Sequence, residues 1–279
     1  MEIAFVKMNP TENMTILVES PLPREQYGQI AARLMAYGSL FAEQVGYIEK
    51  PTLKGARSRL HMMGGEFCGN ATMSTAALIA FDDGVKGGDT VTVPLEVSGA
   101  EGLLTCEVCP VAGEEKTAAV SVGMPPVLGV EKRTFQYDGA SFETHMVRTE
   151  GITHLLIDTA RDKQKPWHSI AEGAIIQWNE ELKADALGLM LYETTGESYR
   201  IDPLVYVEGS KSLTWERGCG SGTAAMGAWL AWKNKSTTGA DIDQPGGRIK
   251  VEAEYRDNAV GKITIRGIVK LAARGIAYL

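Results

Sequence analysis

The chain has 279 residues, 44% hydrophobic and 23% charged, so it can bury the core of one large domain or two modest ones. Its 28 Lys and Arg against 35 Asp and Glu give a net charge of −7, and without a basic run this argues against a nucleic-acid partner. No apolar run approaches the roughly 18–20 residues that span a bilayer, and the charged start Met1–Lys7 is not a signal peptide. We therefore expect a cytoplasmic protein with no membrane partner.

Short runs rich in Val, Ile and Thr, separated by Gly, Pro, Asp or Asn turns, predict many strands. Examples, in chain order, are Glu2–Val6, Thr15–Val18, Gln44–Ile48, Thr90–Pro94, Leu103–Val108, Ala118–Val122, His154–Ile157, Leu204–Val207, Leu213–Trp215 and Ile249–Glu254. Helices are predicted over Arg24–Met35, Asn70–Phe81, His168–Glu180 and Ser221–Lys233. Strands with a few helices among them are typical of an α+β architecture rather than of a doubly wound sheet.

An internal repeat is the most informative feature of the sequence. Cys68–Thr72 reads Cys-Gly-Asn-Ala-Thr, and Cys219–Thr223, half a chain later, reads Cys-Gly-Ser-Gly-Thr. Each segment follows a strand-like run and opens a predicted helix. The repeat predicts two related domains, each with one cysteine at a helix start.

A cysteine at a helix start suits proton transfer. Unpaired backbone N–H groups and the positive end of the helix dipole favour thiolate over thiol. Two such helix starts on opposite sides of an α-carbon would bind the substrate carboxylate and supply one base and one acid. Cys68 and Cys219 are therefore the candidate catalytic residues of a racemase or epimerase.

The other cysteines and the histidines give weaker signals. Cys106 and Cys109 have CxxC spacing, but no second CxxC or histidine cluster accompanies them, so we interpret both as structural and expect no metal site. The four histidines are scattered, and none has a catalytic role that the sequence indicates. His154, in a strand-like run, is expected to be a core or rim residue. No lysine stands in a recognisable pyridoxal phosphate context, and no cofactor is expected.

A series of motifs along nearly the whole chain resembles the diaminopimelate epimerase superfamily and, within it, the histidine racemases that supply D-histidine for staphylopine-like metallophores. The motifs are Asn13–Val18, Glu43–Glu49, Glu66–Ser74, Trp215–Glu216, Cys219–Ala224 and Gln244–Gly247. The first cysteine motif and the order of the series are the most specific features.

The resemblance implies two pseudo-symmetric domains, each a β-barrel-like sheet wrapped around a central helix, at residues 1–122 (completed by the strand 268–279) and 123–267. It also implies catalysis by two cysteines without a cofactor, and a homodimer. The implied substrate-binding residues are Asn13, Glu43, Gln44, Gly69, Asn70, Glu216, Gly220 and Ser221.

Departures from the diaminopimelate epimerases concern the substrate. Where those enzymes have Gly-Asn-Pro-His, which helps to hold the distal end of the substrate, this chain has Gly151–His154, reading Gly-Ile-Thr-His. Losing polar groups that hydrogen-bond a substrate weakens its recognition, so a shorter amino acid is expected. Histidine is the first choice, with Glu43 pairing with its imidazole or its α-ammonium group. A diaminopimelate epimerase, a racemase of another amino acid and a redox-responsive amino-acid-binding protein are the alternatives.

Overall fold

The computed structural model describes residues 1–196 and 198–279. These residues form a mixed α and β fold with a large sheet of sixteen strands and four α-helices. Contacts between Cα atoms divide the chain into two compact units. The N-terminal unit comprises Met1–Gly123 and Arg266–Leu279, and the C-terminal unit comprises Met124–Ile265.

The N-terminal unit contains seven complete strands and two helices. The strands are β1 (Glu2–Pro10), β2 (Thr15–Val18), β3 (Gln44–Glu49), β4 (Ser58–Met62), β5 (Val91–Val97), β6 (Leu103–Pro110) and β7 (Thr117–Gly123), and the helices are α1 (Tyr27–Met35) and α2 (Gly69–Asp82). They pair in sequence order from β1 to β7. The long strand β16 (Ala259–Tyr278) pairs with both β7 and β1, and its register against β1 runs from Glu2↔Tyr278 to Pro10↔Val269.

Helix α2 is the central element of the N-terminal unit. Twelve of its fourteen residues are buried, as expected for a helix that is apolar or small on every side. Its small side chains, such as Ala71, Ala76 and Ala77, let it pack against β1, β2, β5, β6 and β7. This packing fixes the position at which the helix begins.

The described residues of the C-terminal unit form eight complete strands and two helices. The strands are β8 (Val127–Tyr137), β9 (Ala140–Thr149), β10 (Thr153–Asp158), β11 (Ala186–Thr195), β12 (Ser198–Val207), β13 (Ser212–Trp215), β14 (Thr238–Gln244) and β15 (Gly247–Arg256), and the helices are α3 (Trp167–Leu182) and α4 (Gly220–Asn234). Helix α3 covers a core around Trp178 and Phe135, whereas α4 packs against β9, β10, β14 and β15. A Cβ at Gly227 would lie 2.4 Å from Val251 Cγ2, so this glycine lets α4 approach β15 closely.

Both units use the same succession of connections. In the N-terminal unit, β2–α1–β3 and β4–α2–β5 are parallel crossovers separated by the antiparallel pair β3–β4. In the C-terminal unit, β10–α3–β11 is a parallel crossover, β11–β12 is antiparallel, and the chain then returns through α4 to the parallel pair β12–β14. Each cysteine helix therefore lies in the second crossover of its unit.

The predicted helices are confirmed, with boundaries shifted by up to three residues. Helix α1 begins at Tyr27 rather than Arg24 because Arg24–Gln26 form a short 3-10 helix. The long strands β8, β9, β11, β14 and β16 were not among the strands named from the sequence pattern. In the described part of the chain, no helix is long and apolar enough to cross a membrane.

Candidate active site

Cys68 is the N-cap of α2. Its backbone is extended, with φ −136° and ψ 112°, and its sulfur accepts a hydrogen bond from the backbone N–H of Ala71 at 3.4 Å. The carbonyl of Cys68 accepts both the backbone N–H and the side-chain hydroxyl of Thr72, at 2.9 Å and 2.7 Å. The sulfur therefore occupies the place that a Ser or Asp oxygen usually takes at a helix start.

One of the predicted substrate-binding residues, Gln44, adjoins the thiol of Cys68, and a second, Asn13, is linked to it through Gln44. The thiol donates to Gln44 Oε1 at 2.9 Å. The amide nitrogen of Gln44 in turn donates to Asn13 Oδ1 at 2.6 Å and to Thr15 Oγ1 at 2.8 Å. Strands β2 and β3 pair with Thr15 opposite Gln44, and this register brings the three polar side chains together.

The remaining predicted substrate-binding residues of the N-terminal unit are Glu43, Gly69 and Asn70. Glu43 precedes β3, and its backbone N–H donates to the carbonyl of Met14 at 2.9 Å. Gly69 and Asn70 are the first two residues of α2, and both are buried. Their position at the helix start gives them the backbone N–H groups that an anion would meet there.

Cys219 is the N-cap of α4 in the same manner. Its φ is −103° and its ψ is 106°, and its sulfur accepts the backbone N–H of Gly222 at 3.2 Å. The carbonyl of Cys219 accepts the backbone N–H of Thr223 at 3.0 Å and its hydroxyl at 2.7 Å. A Cβ at Gly222 would overlap Met190 Sδ and lie 3.1 Å from Cys219 Sγ, so this glycine leaves room for both sulfur atoms.

The surroundings of Cys219 contain a carboxyl group. Cys219 is 1% exposed, and its thiol is hydrogen-bonded to Glu216. Burial, followed by the charge and the hydrogen bond of Glu216, raises the pKa of Cys219 well above its ordinary value. Burial also raises the pKa of Glu216. Glu216, predicted from the sequence to bind substrate, has its carboxyl group against the cysteine thiol.

Ser221 links Cys219 to a buried histidine. Its hydroxyl lies 3.5 Å from Cys219 Sγ and 3.1 Å from His154 Nε2. His154 is 1% exposed, and burial lowers its pKa to about 4, so its ring is neutral near pH 7. Gly188 makes room for the ring, since a Cβ there would lie 2.6 Å from His154 Cδ2.

Gln244 supports the helix start from β14. Its Oε1 accepts the backbone N–H of Cys219 at 2.6 Å, and its Nε2 donates to Thr223 Oγ1 at 2.8 Å. Gln244 belongs to one of the sequence motifs but is not among the predicted site residues, and His154 is predicted only as a core or rim residue. A glutamine at each cysteine, Gln44 and Gln244, was the sequence signal that could have indicated paired supports.

Each cysteine site can therefore supply a sulfur that exchanges a proton. It can also supply backbone N–H groups that stabilise negative charge on a ligand. Cys106 is buried in β6 with its pKa raised to about 12 by burial, and Cys109 is half-buried in the same strand. None of the four cysteines forms a disulfide bond. Among the described residues, no group of three His, Cys, Asp or Glu side chains is arranged to hold a metal ion.

Comparison with known proteins identifies the family. The model of the histidine racemase CntK N-terminal domain matches residues 2–278. The chain belongs to this family. A histidine racemase of Staphylococcus aureus is 32% identical over 281 residues, covering 99% of this chain and 98% of the relative. A histidine racemase of Fusobacterium nucleatum is 29% identical over 276 residues, covering 99% and 97%.

Solved structures with the same fold are isomerases and related proteins. A hydroxyproline epimerase from Agrobacterium vitis, solved with bound trans-4-hydroxy-L-proline, has a TM-score of 0.74 at 11% identity and covers 100% of this chain and 93% of its own. A probable proline racemase from Agrobacterium radiobacter has a TM-score of 0.72 at 13% identity and covers 99% and 92%. At these identities, the likeness establishes the fold alone.

Proposed function

We propose that the protein interconverts L-histidine and D-histidine by proton transfer between the substrate α-carbon and two cysteines, without a cofactor. The observation that carries the proposal is the matched pair of cysteine caps, Cys68 on α2 and Cys219 on α4. Curated relatives that cover nearly the whole chain are histidine racemases, which supports both the reaction and the substrate.

Cys219 is the acid in the first half of the proposed reaction. Its raised pKa keeps the thiol protonated near pH 7, because a thiolate beside the Glu216 carboxyl group in a buried site is unfavourable. When the thiol gives its proton to the α-carbon, the N–H of Gly222 and the hydroxyl of Ser221 remain as donors to the new thiolate. The protonation of Cys219 and Glu216 is coupled, so the pair titrates as a unit.

Cys68 is the base in the same half-reaction. Its thiolate takes the α-proton and becomes a thiol, while the electron pair left on the α-carbon delocalises into the carboxylate. The N–H groups at the starts of α2 and α4, carried by Gly69 and Asn70 and by Gly220 and Ser221, meet the charge that develops there. In the reverse direction the two cysteines exchange roles. Asn13, Gln44 and Glu43 are the proposed contacts of the N-terminal unit with the amino acid.

We also propose the finer architecture that the resemblance implies. The shared order of crossovers and the return of β16 to β1 support two pseudo-symmetric barrel-like domains, each around its cysteine helix. Their proposed limits are 1–122 with 268–279, and 123–267. We further propose that the protein is a homodimer in the reducing cytoplasm. Light scattering of the purified protein tests the dimer.

Proton NMR in D₂O tests the function. The reduced protein is incubated with L-histidine and, separately, with LL-diaminopimelate, proline and alanine, while loss of the α-proton signal is followed and inversion is confirmed by chiral chromatography. Exchange and inversion of histidine support the proposal. Exchange of another amino acid alone retains the mechanism and rejects the substrate. Binding without exchange favours the redox-responsive binding protein and contradicts the proposal.

A further inference from the structure

A cavity of about 430 Å³ lies at the C-terminal end of α4, within the C-terminal unit. Trp229, Trp232, Lys233 and Lys235 line it from this end of the helix. Fourteen residues separate Cys219 from Lys233, which corresponds to roughly 20 Å along a helix. The cavity, which we call the α4 pocket, is therefore separate from the cysteine at the helix start.

Strand β10 connects the surroundings of Cys219 with the α4 pocket. His154 and Asp158 lie four residues apart on β10, on one face of the strand. His154 meets Ser221 near the start of α4, whereas Asp158 lines the α4 pocket near the end of the helix. The strand and the helix therefore run side by side from the cysteine site to the pocket.

Positive charge predominates in the α4 pocket. Lys132, Arg161, Lys233 and Lys235 line it, with Asp158 as the single lining carboxylate among the described residues. Arg161 is already paired, with Glu143 at 2.9 Å and with Asp158 at 3.5 Å. Within the described part of the chain, the three lysines have no carboxylate partner within 4.0 Å. Such a concentration of cations is unexpected in a chain whose net charge is −7.

The pKa of His145 shows the effect of the positive charges around the α4 pocket. It lies opposite Lys132 in the β8–β9 pair and lines the pocket. Its pKa is lowered first by burial and then by the charges of Lys132, Lys233 and Arg161, against the opposing effect of Glu143. Lys132 on a strand, Arg161 in a loop and Lys233 on a helix therefore all lie close enough to His145 to lower its pKa.

The helix end explains part of this charge but not all of it. Lysines near a helix C-terminus interact favourably with its unpaired carbonyl groups, which accounts for Lys233 and Lys235. Lys132 belongs to β8 and Arg161 to the segment after β10, so neither serves the helix end. The ion pairs with Glu143 and Asp158 account for Arg161, so Lys132 is the cation that neither the helix end nor an ion pair explains.

Aromatic rings form the remaining wall. The Trp229 ring lies 5.0 Å from the Tyr192 ring and 5.2 Å from the His145 ring, between centroids. Lys233 Nζ lies 4.7 Å from the Trp229 centroid, and Lys235 Nζ lies 4.7 Å from the Trp232 centroid. The Trp229 ring is 2% exposed, whereas the Trp232 ring is half-buried. An anion that draws Lys235 from Trp232 would therefore open one face of this ring to a flat apolar group.

We propose that the α4 pocket binds an organic phosphate with a planar ring, of the size of a nucleoside monophosphate. The lysines meet the phosphate by charge-assisted hydrogen bonds, and the half-buried indole ring of Trp232 packs against the planar part. The volume lies within the range of small-molecule sites and exceeds what an inorganic phosphate fills.

Tryptophan fluorescence tests the proposal, since two indoles line the pocket. The full chain is titrated with adenosine monophosphate, inorganic phosphate and adenosine at low ionic strength. Saturable binding of the monophosphate, tighter than that of phosphate or adenosine, is expected. Equal affinity for inorganic phosphate would reject the ring contact, equal affinity for adenosine would reject the role of the lysines, and no saturable binding would overturn the whole proposal.

Two charge-matched variants localise the binding. In Lys132→Gln with Lys233→Gln, the dissociation constant is expected to rise about tenfold. In Lys183→Gln with Lys262→Gln, two exposed lysines of the same unit that do not line the pocket, it is expected to stay within about twofold. Circular dichroism melting verifies that both variants are folded. An equal loss of affinity in the two variants would mean that net charge, rather than the pocket, holds the ligand.

Discussion

Cys68 and Cys219 cap α2 and α4 with the same geometry, but their neighbours differ. Each sulfur accepts a backbone N–H from the third residue after it, and each carbonyl accepts a threonine hydroxyl at 2.7 Å. The half-buried Cys68 donates to a neutral amide, Gln44. The buried Cys219 instead shares a hydrogen bond with the carboxyl group of Glu216.

This difference shows how one helix start can serve two chemical roles. The helix supplies N–H donors at both sites, which favours a thiolate. Burial and the residue beside the sulfur then influence its protonation, since burial disfavours a thiolate and a neighbouring carboxylate opposes a second negative charge, whereas an amide does not. We infer that burial, followed by Glu216, makes Cys219 the thiol of the resting enzyme.

Replacing either cysteine is expected to have the largest effect. Cys68→Ser or Cys219→Ser should lower histidine racemisation by about 10³-fold, because a serine hydroxyl is a far weaker acid and base than a thiol. Chiral chromatography of the product measures the rate. Cys109→Ser, in the half-buried part of β6, is the matched control and should retain activity. Wild-type rates in either catalytic variant would show that one thiol suffices.

Removing the carboxylate at Cys219 is expected to make the two sites more alike. In Glu216→Gln, the pKa of Cys219 should fall, because the charge that raises it is lost. Racemisation at pH 7 should fall by less than about tenfold, since burial remains and keeps the thiol protonated. Thiolate absorbance near 240 nm, followed against pH, measures the shift. The exposed Glu252→Gln in β15 is the control. An unchanged titration would show that Glu216 does not set the protonation of Cys219.

His154 gives the C-terminal unit a pH dependence of its own. Its pKa is about 4 in the folded chain, against an ordinary 6.5. Between these two values the unfolded chain binds a proton that the folded chain does not, so stability falls as the pH drops from 6.5 and levels off below about 4. The loss amounts to about 3 kcal/mol. Urea unfolding at several pH values should show this slope in the wild type and not in His154→Asn.

The control for that experiment is His168→Gln, which removes an exposed histidine. Its unfolding free energy should follow the pH dependence of the wild type. If His154→Asn also kept the wild-type slope between pH 6.5 and 4, the buried ring would not be the group that takes up the proton on unfolding.

Replacing Gln44 or Gln244 is expected to have a smaller effect than the changes above, and the two replacements should affect different properties. Gln244→Ala leaves the buried N–H of Cys219 without its acceptor, which costs about 1–3 kcal/mol of stability. Gln44→Ala removes a partner of the partly buried Cys68 thiol, so its effect should appear in KM and kcat more than in Tm. Thermal melting and steady-state kinetics of both variants separate these outcomes. A larger loss of Tm in Gln44→Ala than in Gln244→Ala would contradict this distinction.

Much of this contrast could be foreseen from the sequence, and part could not. The repeat of Cys68–Thr72 at Cys219–Thr223 predicts both helix starts because caps are local, and those starts are confirmed. The contact between Glu216 and Cys219 depends on how the chain turns after β13, which no local pattern encodes. His154 reaches Ser221 through the packing of β10 against α4, a contact between residues far apart in the chain.

The strands show a similar limit. Alternating Val, Ile and Thr predicted the short buried strands, whose pattern is local. The long strands β8 and β9 carry many exposed polar residues, so their alternation is weak, and pairing with each other defines them. Strand β16 completes its pairing with β1 at the other end of the sequence, and the family resemblance rather than periodicity predicted that return.

The most direct test of the two-cysteine account is α-proton exchange in D₂O by Cys68→Ser and Cys219→Ser, each with L-histidine and with D-histidine. One remaining thiol can deprotonate the enantiomer whose α-proton points toward it, without completing inversion. The account predicts that each variant exchanges one enantiomer only, and that the two variants prefer opposite enantiomers. Exchange of the same enantiomer by both variants, or inversion by either at the wild-type rate, would contradict it.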